Sequence, residues 1–362
     1  MSRVVSASAY LVDLEVETPR TDAVQSFVKQ ETVFVELATD DGHTGLGYSY
    51  TIGTGGHAVL ALLRHDLLPR LVGTEAGDIE ARWNDLYAVT RATSIGVITA
   101  LALAAVDTAL WDIRCRRAGE PLWRMAGGFR RQVPVYDTEG GWLHLPTEEL
   151  VAGAAASRDA GLFGVKLKVG KRLVAEDVAR IAAVRAEVGS GMEIMVDANQ
   201  SLTVAGATRR ARAFEELDVA WLEEPLPADD VSGHALLARA SSVPVAVGES
   251  LYSLGQFRGY LEAGAAGIVQ VDVARIGGIT PWLKVAHLAE AFNVAVAPHF
   301  LMELHVSLAA AVPNGSYVEH IPQLRAITTE ELRIVDGHAV VPEAPGLGIA
   351  WNQDAIDDRR VA

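Results

Sequence analysis

Short apolar runs recur through the middle of the chain, and each closes on a charged or titratable residue. VKLKV carries Lys168, EIMVD ends at Asp197, AWLEE at Glu223 and Glu224, VPVAVGE at Glu249, GIVQVD at Asp272, VAVAPH at His299 and YVE at Glu319. The steps between these positions are 29, 26, 26, 23, 27 and 20 residues. A strand followed by a helix needs about this length, since eight such units make a barrel of about 250 residues. The pattern therefore predicts parallel strands alternating with helices. All seven groups then lie at the C-terminal strand ends, facing one mouth, where a β/α barrel places its chemistry.

The flanks follow other rhythms. Val4–Val16 and Thr32–Ala38 alternate like strands, and Asp40-Asp41-Gly42 before Thr44–Tyr50 predicts a hairpin turn. Helical stretches follow as far as Arg117, where Gly119 and Pro121 stop them. Residues 1–128 thus read as an α+β module, and 129–320 as the barrel. The barrel span is short for eight helices, so a missing helix or very tight loops are expected. Residues 321–362 resume no β/α repeat and contain Pro345-Gly346-Leu347-Gly348; they are expected to fold back and complete the first module as a cap. Two stretches of that module, Thr18–Gln30 and Ile52–Gly56, read as loops. The first is polar and breaks the strand pattern, and the second is glycine-rich. The glycines do not sit between a barrel strand and its helix, which argues against a phosphate cradle.

Composition narrows the possible functions. Half of the 362 residues are hydrophobic, enough for a large core. A net charge of −15 argues against nucleic acid and anionic membrane surfaces. An anionic small molecule stays open, because a metal ion and lysines can reverse the sign of a cleft. The single cysteine, Cys115, rules out a disulfide framework and reads as a buried apolar residue within the helical stretch 94–117. The longest apolar stretch, Val97–Val106, is too short to span a bilayer, and the N-terminus lacks a basic-then-apolar secretory pattern. A cytoplasmic protein is expected.

Asp197, Glu223 and Glu249 offer hard oxygen ligands at three successive strand ends, a set that suits Mg²⁺ better than zinc. Three solvated acids near helix N-termini are the plain alternative, and the even spacing counts against it. Alternation sends Glu224 to the other strand face as a supporting group. Lys166 and Lys168 share a face. Their mutual repulsion is expected to lower a lysine pKa towards what a general base requires. Asp272 and His299 end later strands, where an aspartate can orient a basic imidazole; a purely structural pair remains open. Glu319 joins the same mouth at the eighth strand.

The runs Lys166-Leu-Lys168-Val-Gly, Val196-Asp197-Ala-Asn199-Gln200, Trp221-Leu-Glu223-Glu224-Pro225 and Gly248-Glu249-Ser250 resemble the enolase superfamily. Asp272, Arg275-Ile-Gly-Gly-Ile-Thr280, Pro298-His299-Phe300 and Glu319 are similar to its mandelate racemase subgroup. That resemblance implies a (β/α)7β barrel with a capping domain. It implies one Mg²⁺ per subunit on Asp197, Glu223 and Glu249, chelated by a small carboxylate substrate. Lys168 would be the base on one face of the α-carbon, with Lys166 tuning it and touching the carboxylate. His299, oriented by Asp272, would be the acid or base on the other face. Glu319 would donate a hydrogen bond to a carboxylate oxygen and must be protonated to do so. Asn199 would contact a substrate hydroxyl, with Thr138 a further substrate contact, and the two cap loops would select the substrate. Sites of this superfamily use a Lys or His base with one or two Mg²⁺ ions.

Details such as Arg275, Asp197-Ala-Asn199-Gln200 and Met302-Glu303 resemble the acid-sugar dehydratases, particularly those acting on galactarate-type diacids. Racemisation or epimerisation through the same enolate is the nearest rival, and a paralogue that binds an acid without turning it over is a third reading. Arg20 and Lys29 could meet a distal carboxylate, although ordinary surface charge explains each more simply. A homo-oligomer is expected.

Overall fold

The structure, a computed structural model, describes residues 2–93 and 96–362. Three antiparallel strands open it: β1 (Val4–Thr21), β2 (Ser26–Thr39) and β3 (Thr44–Thr51). The helix α1 (Gly56–Leu62) then runs on through a wider π-helical turn, Leu63–Leu67, and a tighter 3-10 turn, Leu68–Arg70, followed by α2 (Ile79–Thr90) and α3 (Val97–Ala118). Residues 94 and 95, the expected start of that last helical stretch, lie outside the described residues.

α3 lies directly on β3 because two glycines leave room for it. A Cβ at Gly45 or Gly47 would stand 2.3 or 2.2 Å from the carbonyl oxygens of Ala109 and Ala105. Being covered on most sides, α3 is apolar nearly all round rather than on one stripe. It stops at Gly119, whose φ of 68° is open to glycine, while Glu120 N donates back to Cys115 O. Cys115 is fully buried and its thiol is pushed up to about 12, chiefly by that burial.

The stretch Thr18–Gln30 is not a loop. β1 and β2 pair almost to their tips, with Thr21 opposite Ser26 and Arg20 opposite Phe27. A register shift between Glu15 and Arg20 absorbs the break in alternation that the sequence shows. Backbone pairing does not depend on side-chain polarity, which is why the polar composition misled. Asp22 closes the turn by accepting from Val24 N and Gln25 N at 2.7 and 2.8 Å.

After the short α4 (Leu122–Met125), eight parallel strands follow: β4 (Gln132–Asp137), β5 (Gly164–Lys168), β6 (Glu193–Asp197), β7 (Val219–Glu223), β8 (Val245–Val247), β9 (Ile268–Val269), β10 (Ala295–Val296) and β11 (Val318–His320). They alternate with α5 (Thr147–Asp159), α6 (Val174–Val188), α7 (Val204–Glu215), α8 (Val231–Ala240), α9 (Leu254–Glu262), α10 (Ile279–Ala291) and α11 (Met302–Ala311). β11 pairs back onto β4, and Val296 bridges to Gly315 just before β11, so the sheet closes. The fold is a (β/α)7β barrel, and the short span reflects the absent eighth helix. Tyr136, Met195, Trp221, Ala246 and Ala297 fill its interior as a packed floor.

The tail forms a hairpin of β12 (Ile334–Val335) and β13 (His338–Val340), and β13 pairs antiparallel with the start of β4. α12 (Gln353–Asp358) follows. The last residues run along β1, with Leu11 N donating to Ala362 O and Val361 N to Leu11 O. Trp351 packs edge-on against Phe34 and Tyr48, its ring centroid 5.1 and 5.3 Å from theirs. Among the described residues no helix is long and apolar enough to cross a membrane.

Candidate active site

Strand register assembles the site. Lys168 stands beside Asp197, and Asp197 beside Glu223, at the C-terminal ends of β5, β6 and β7. Glu249, Asp272 and His299 come two or three residues after β8, β9 and β10, and Glu319 lies within β11. The structure thus brings the seven sequence-picked groups to one mouth, as it does Lys166, Thr138 and Asn199. The chain reaches this geometry through unusual backbone: Asn199, Gln200, Glu224, Phe300 and Leu301 all have positive φ just past barrel strands. Such conformations cost roughly 1–3 kcal/mol each in non-glycine residues and concentrate where function over-determines the backbone.

Asp197, Glu223 and Glu249 are buried, and one carboxylate oxygen from each lies within 4.8 Å of the others. Each is matched by a cation. Lys168 Nζ makes a very short contact with Asp197 Oδ2. Lys166 Nζ is 3.0 Å from Glu223 Oε1. Glu249 faces Arg275 Nη1 at 3.1 Å and His299 Nε2 at 3.3 Å. The arc of acids therefore has a candidate base at each end, Lys168 beside Asp197 and His299 beside Glu249.

Burial and repulsion from Asp197, Glu319 and Glu249 push Glu223 up to about 7 against the pull of Lys166. Glu224, behind the arc, is raised further by burial and by Glu249 and Asp197; it accepts from Gln200 Nε2 at 3.2 Å. Crowded, buried, all-oxygen donors are the environment a hard divalent cation relieves, so this donor set fits Mg²⁺. The acidic triad is placed to bind a metal ion.

The lysines depart from expectation. Burial, the largest effect, and the repulsion of Lys166 would lower Lys168, but the attraction of Asp197, joined by Glu223 and Glu249, outweighs them and its pKa is raised. Lys166 is raised too, by Glu223 and Glu319 against burial. Like-charge depression is real here, yet smaller than the attraction of adjacent carboxylates. Glu319 also differs from the expected proton donor. Burial opposes its ionisation, but Lys166 and His299 hold its carboxyl far below the usual range. It accepts from Lys166 Nζ at 2.7 Å, Thr138 Oγ1 at 2.7 Å and Phe300 N at 2.8 Å.

His299 Nδ1 lies 2.9 Å from Asp272 Oδ2. Asp272 Oδ1 accepts from Ala274 N and Arg275 N, so the carboxylate is held at both oxygens. Burial would raise Asp272, but the His299 hydrogen bond and charge bring it down to about 2. His299 in turn is raised by Glu249 and Asp272 in spite of burial. Asn199 is anchored by its backbone N–H to Asp197 Oδ1 at 2.8 Å, while its buried Oδ1 has no partner.

Several participants escaped the sequence reading. Gln270 donates to Glu223 Oε2 at 2.7 Å. It sits two residues before Asp272, so strand alternation would have put it on the same face. Tyr50, at the end of β3, donates to Asp272 Oδ2 at 2.6 Å; nothing local to Tyr50 signals a partner 222 residues away. Trp142 lies under Lys168, its ring centroid 5.4 Å from Nζ. Arg20 and Lys29 are already paired with protein groups. Arg20 is tied to Glu139 Oε1 at 2.5 Å and Pro322 O at 3.2 Å, and Lys29 to Asp13 at 2.6 Å.

Known proteins place this site in context. The model of the mandelate racemase / muconate lactonizing enzyme N-terminal domain matches residues 6–127, and that of the enolase C-terminal domain-like family matches 149–355. The chain is 35% identical to L-talarate/galactarate dehydratase of Salmonella typhimurium, over 95% of this chain and 88% of that protein. It is 38% identical to 3,6-anhydro-alpha-L-galactonate cycloisomerase of Streptomyces coelicolor, over 90% of each. The crystal structure of L-talarate dehydratase from Polaromonas sp. JS666 complexed with Mg and L-glucarate superposes with a TM-score of 0.95 at 38% identity, covering 100% of this chain and 98% of that one. These relatives are enzymes acting on acid sugars, and they divide between dehydration and isomerisation. With both family models matched and the triad in place, the chain belongs to the mandelate racemase / muconate lactonizing enzyme family of the enolase superfamily.

Proposed function

We propose that the protein removes the proton α to the carboxylate of an acid sugar, an aldonate or aldarate, and then eliminates the β-hydroxyl as water to give a 2-keto-3-deoxy acid. The carrying observation is the acid arc with one candidate base at each end, Lys168 at Asp197 and the His299–Asp272 dyad at Glu249. Mg²⁺ held by Asp197, Glu223 and Glu249 would neutralise the arc and stabilise negative charge on the substrate carboxylate.

In this reading Lys168 Nζ accepts the α-proton as a free amine. A cation held by Asp197, Glu223 and Glu249 would offset the carboxylate charges that raise the Lys168 pKa, leaving burial and the repulsion of Lys166 to act in the direction a base needs. Lys166, between Glu223 and Glu319, turns its ammonium to a carboxylate oxygen of the enolate. Glu319, freed of that ion pair, takes up a proton and donates to the other oxygen. His299, held by Asp272, protonates the departing β-hydroxyl, and the resulting enol tautomerises to the keto acid. Asn199 Oδ1, buried and unpartnered, accepts from a substrate hydroxyl. A placed general base gives ~10²–10⁴-fold, so most of the acceleration comes from charge stabilisation at the carboxylate.

Racemisation or epimerisation is the second reading, supported by the same two-ended arrangement, since His299 can deliver its own proton to the α-carbon from the other face while Lys168 keeps the one it removed. A Mg²⁺-dependent screen of aldonic and aldaric acids in D₂O separates the two. Keto acid supports dehydration. Solvent deuterium at the α-carbon without keto acid supports epimerisation. Neither signal across the library overturns both and leaves the acid-binding paralogue.

A further inference from the structure

The tip of the β1–β2 hairpin is docked on the barrel, and the charge it carries there is negative. Ala23 packs against Gly170, just past β5: a Cβ added at Gly170 would stand 3.0 Å from that of Ala23. Leu143 N donates to Thr21 O at 2.9 Å, and the rings of Phe27 and Trp142 meet edge-on at 5.6 Å. Trp142 is the ring beneath Lys168. Between these contacts lies Asp22, only 6% exposed. The Ala23–Gly170 contact sets it over the end of β5, the strand that carries Lys168, and its carboxyl is raised chiefly by burial. One oxygen, Oδ1, is committed to the turn through Val24 N and Gln25 N.

Lys168, the cation whose charge reaches Asp22, is shared with Asp197, and the hairpin's own cations are engaged elsewhere. Arg20 is held by Glu139, and Lys29 by Asp13 and Glu31. A substrate anchored by its carboxylate at the acid arc would have this tip, packed over the end of β5, as a neighbour of its tail. A second carboxylate there would meet the buried Asp22, and like charges away from bulk water repel strongly. A hydroxyl would instead find an acceptor.

We propose that Asp22 makes the site selective for polyhydroxy monocarboxylates over the corresponding diacids, by accepting a hydrogen bond from a hydroxyl of the substrate tail and repelling a distal carboxylate. This rests on the acid-sugar reading above and narrows it, against the galactarate-type likeness of the barrel motifs.

The test compares each six-carbon aldonate with its matching aldarate, identical except at the terminal carbon. The readouts are kcat/KM for keto-acid formation, α-deuterium uptake in D₂O, and the melting-temperature shift of the Mg²⁺-loaded protein. The wild type is expected to favour an aldonate roughly tenfold or more over its aldarate. Asp22→Asn keeps the turn acceptor and is expected to shrink that ratio about tenfold, mainly through a lower KM for the diacid. Asp22→Ser, which can also accept from the turn, provides a second variant should the first fold poorly. A wild type that prefers the aldarate, or a ratio unchanged in both variants, overturns the proposal. If no acid yields keto acid or deuterium uptake, the dehydratase reading fails by itself. The melting shifts then decide on Asp22: a larger aldonate shift that the variants equalise supports it, and equal shifts in the wild type overturn it.

Discussion

The barrel mouth and the hairpin tip above it are built on opposite plans. At the mouth, buried charges hold one another in pairs that share members: Lys166 bridges Glu223 and Glu319, and Glu249 faces both Arg275 and His299. At the tip a few separate contacts suffice, and Val24 and Val28 stand 68% and 81% exposed. A mutually compensating network in a low dielectric resists change, because loss of one member leaves another charge buried and unpaired. The tip can be altered one contact at a time. In the proposed function, chemistry falls to the region where substitutions propagate, and choice of substrate to the region where they do not.

The contrast can be broken most severely by removing the metal. Chelation is expected to abolish keto-acid formation and α-deuterium uptake, with Mg²⁺ restoring both. Melting temperature should climb with Mg²⁺ concentration, as binding to the native state requires. Next in size is Lys168→Ala, expected to lose ~10²–10⁴-fold in α-proton exchange while keeping the Mg²⁺-dependent rise in melting temperature. Full activity in that variant would remove Lys168 as the base.

Arg20→Ala tests the other region. Arg20 and Glu139 pair at 2.5 Å with Arg20 almost wholly buried, so the variant should release the hairpin and raise KM by about tenfold, with a smaller change in kcat. Glu139→Gln should do the same, and the double variant should be no worse than either, since the pair acts as a unit. A loss of kcat as large as that of Lys168→Ala would erase the distinction between the regions.

The smallest effect on turnover belongs to the seam. Asp107 on α3 accepts from Thr280 N at 2.9 Å at the start of α10, and burial raises its pKa to about 7. Its ordinary value is about 3.9. Between those two values the native state keeps a proton that the unfolded state has lost. Stability should therefore fall as pH rises from about 4 to about 7 and level off above. Asp107→Asn should flatten that slope in urea titrations without changing kcat; an identical slope would refute the assignment.

Legibility in the sequence follows the same division. Lys168, Asp197, Glu223, Glu249, Asp272, His299 and Glu319 could be read because each closes its own apolar run, and the β/α repeat converts position in the run into position at the mouth. The shortness of the span left a missing helix and very tight loops both open, and the resemblance to the family implied the seven-helix form. The hairpin was not readable, because its pairing is between backbones and its tip is polar. Lysine and Glu319 ionisation also escaped, since each is decided by which carboxylate or ammonium lies nearest in space. The lysine pair predicts depression; Asp197 and Glu223, brought within reach by neighbouring strands, reverse it. Tyr50 could not be found from its own surroundings, because its partner belongs to the other module.

Tyr50 also limits what can be exchanged among relatives. Its hydroxyl and the His299 imidazole meet the same oxygen of Asp272, so part of the proposed proton-transfer unit is carried by β3. A chimera that grafts another protein's cap onto this barrel would import a new specificity and could delete one of the dyad's hydrogen bonds in the same step. Recombination between family members is therefore constrained to caps that bring a donor to this position, and redesign of the substrate range should begin with the hairpin tip while leaving the end of β3 untouched.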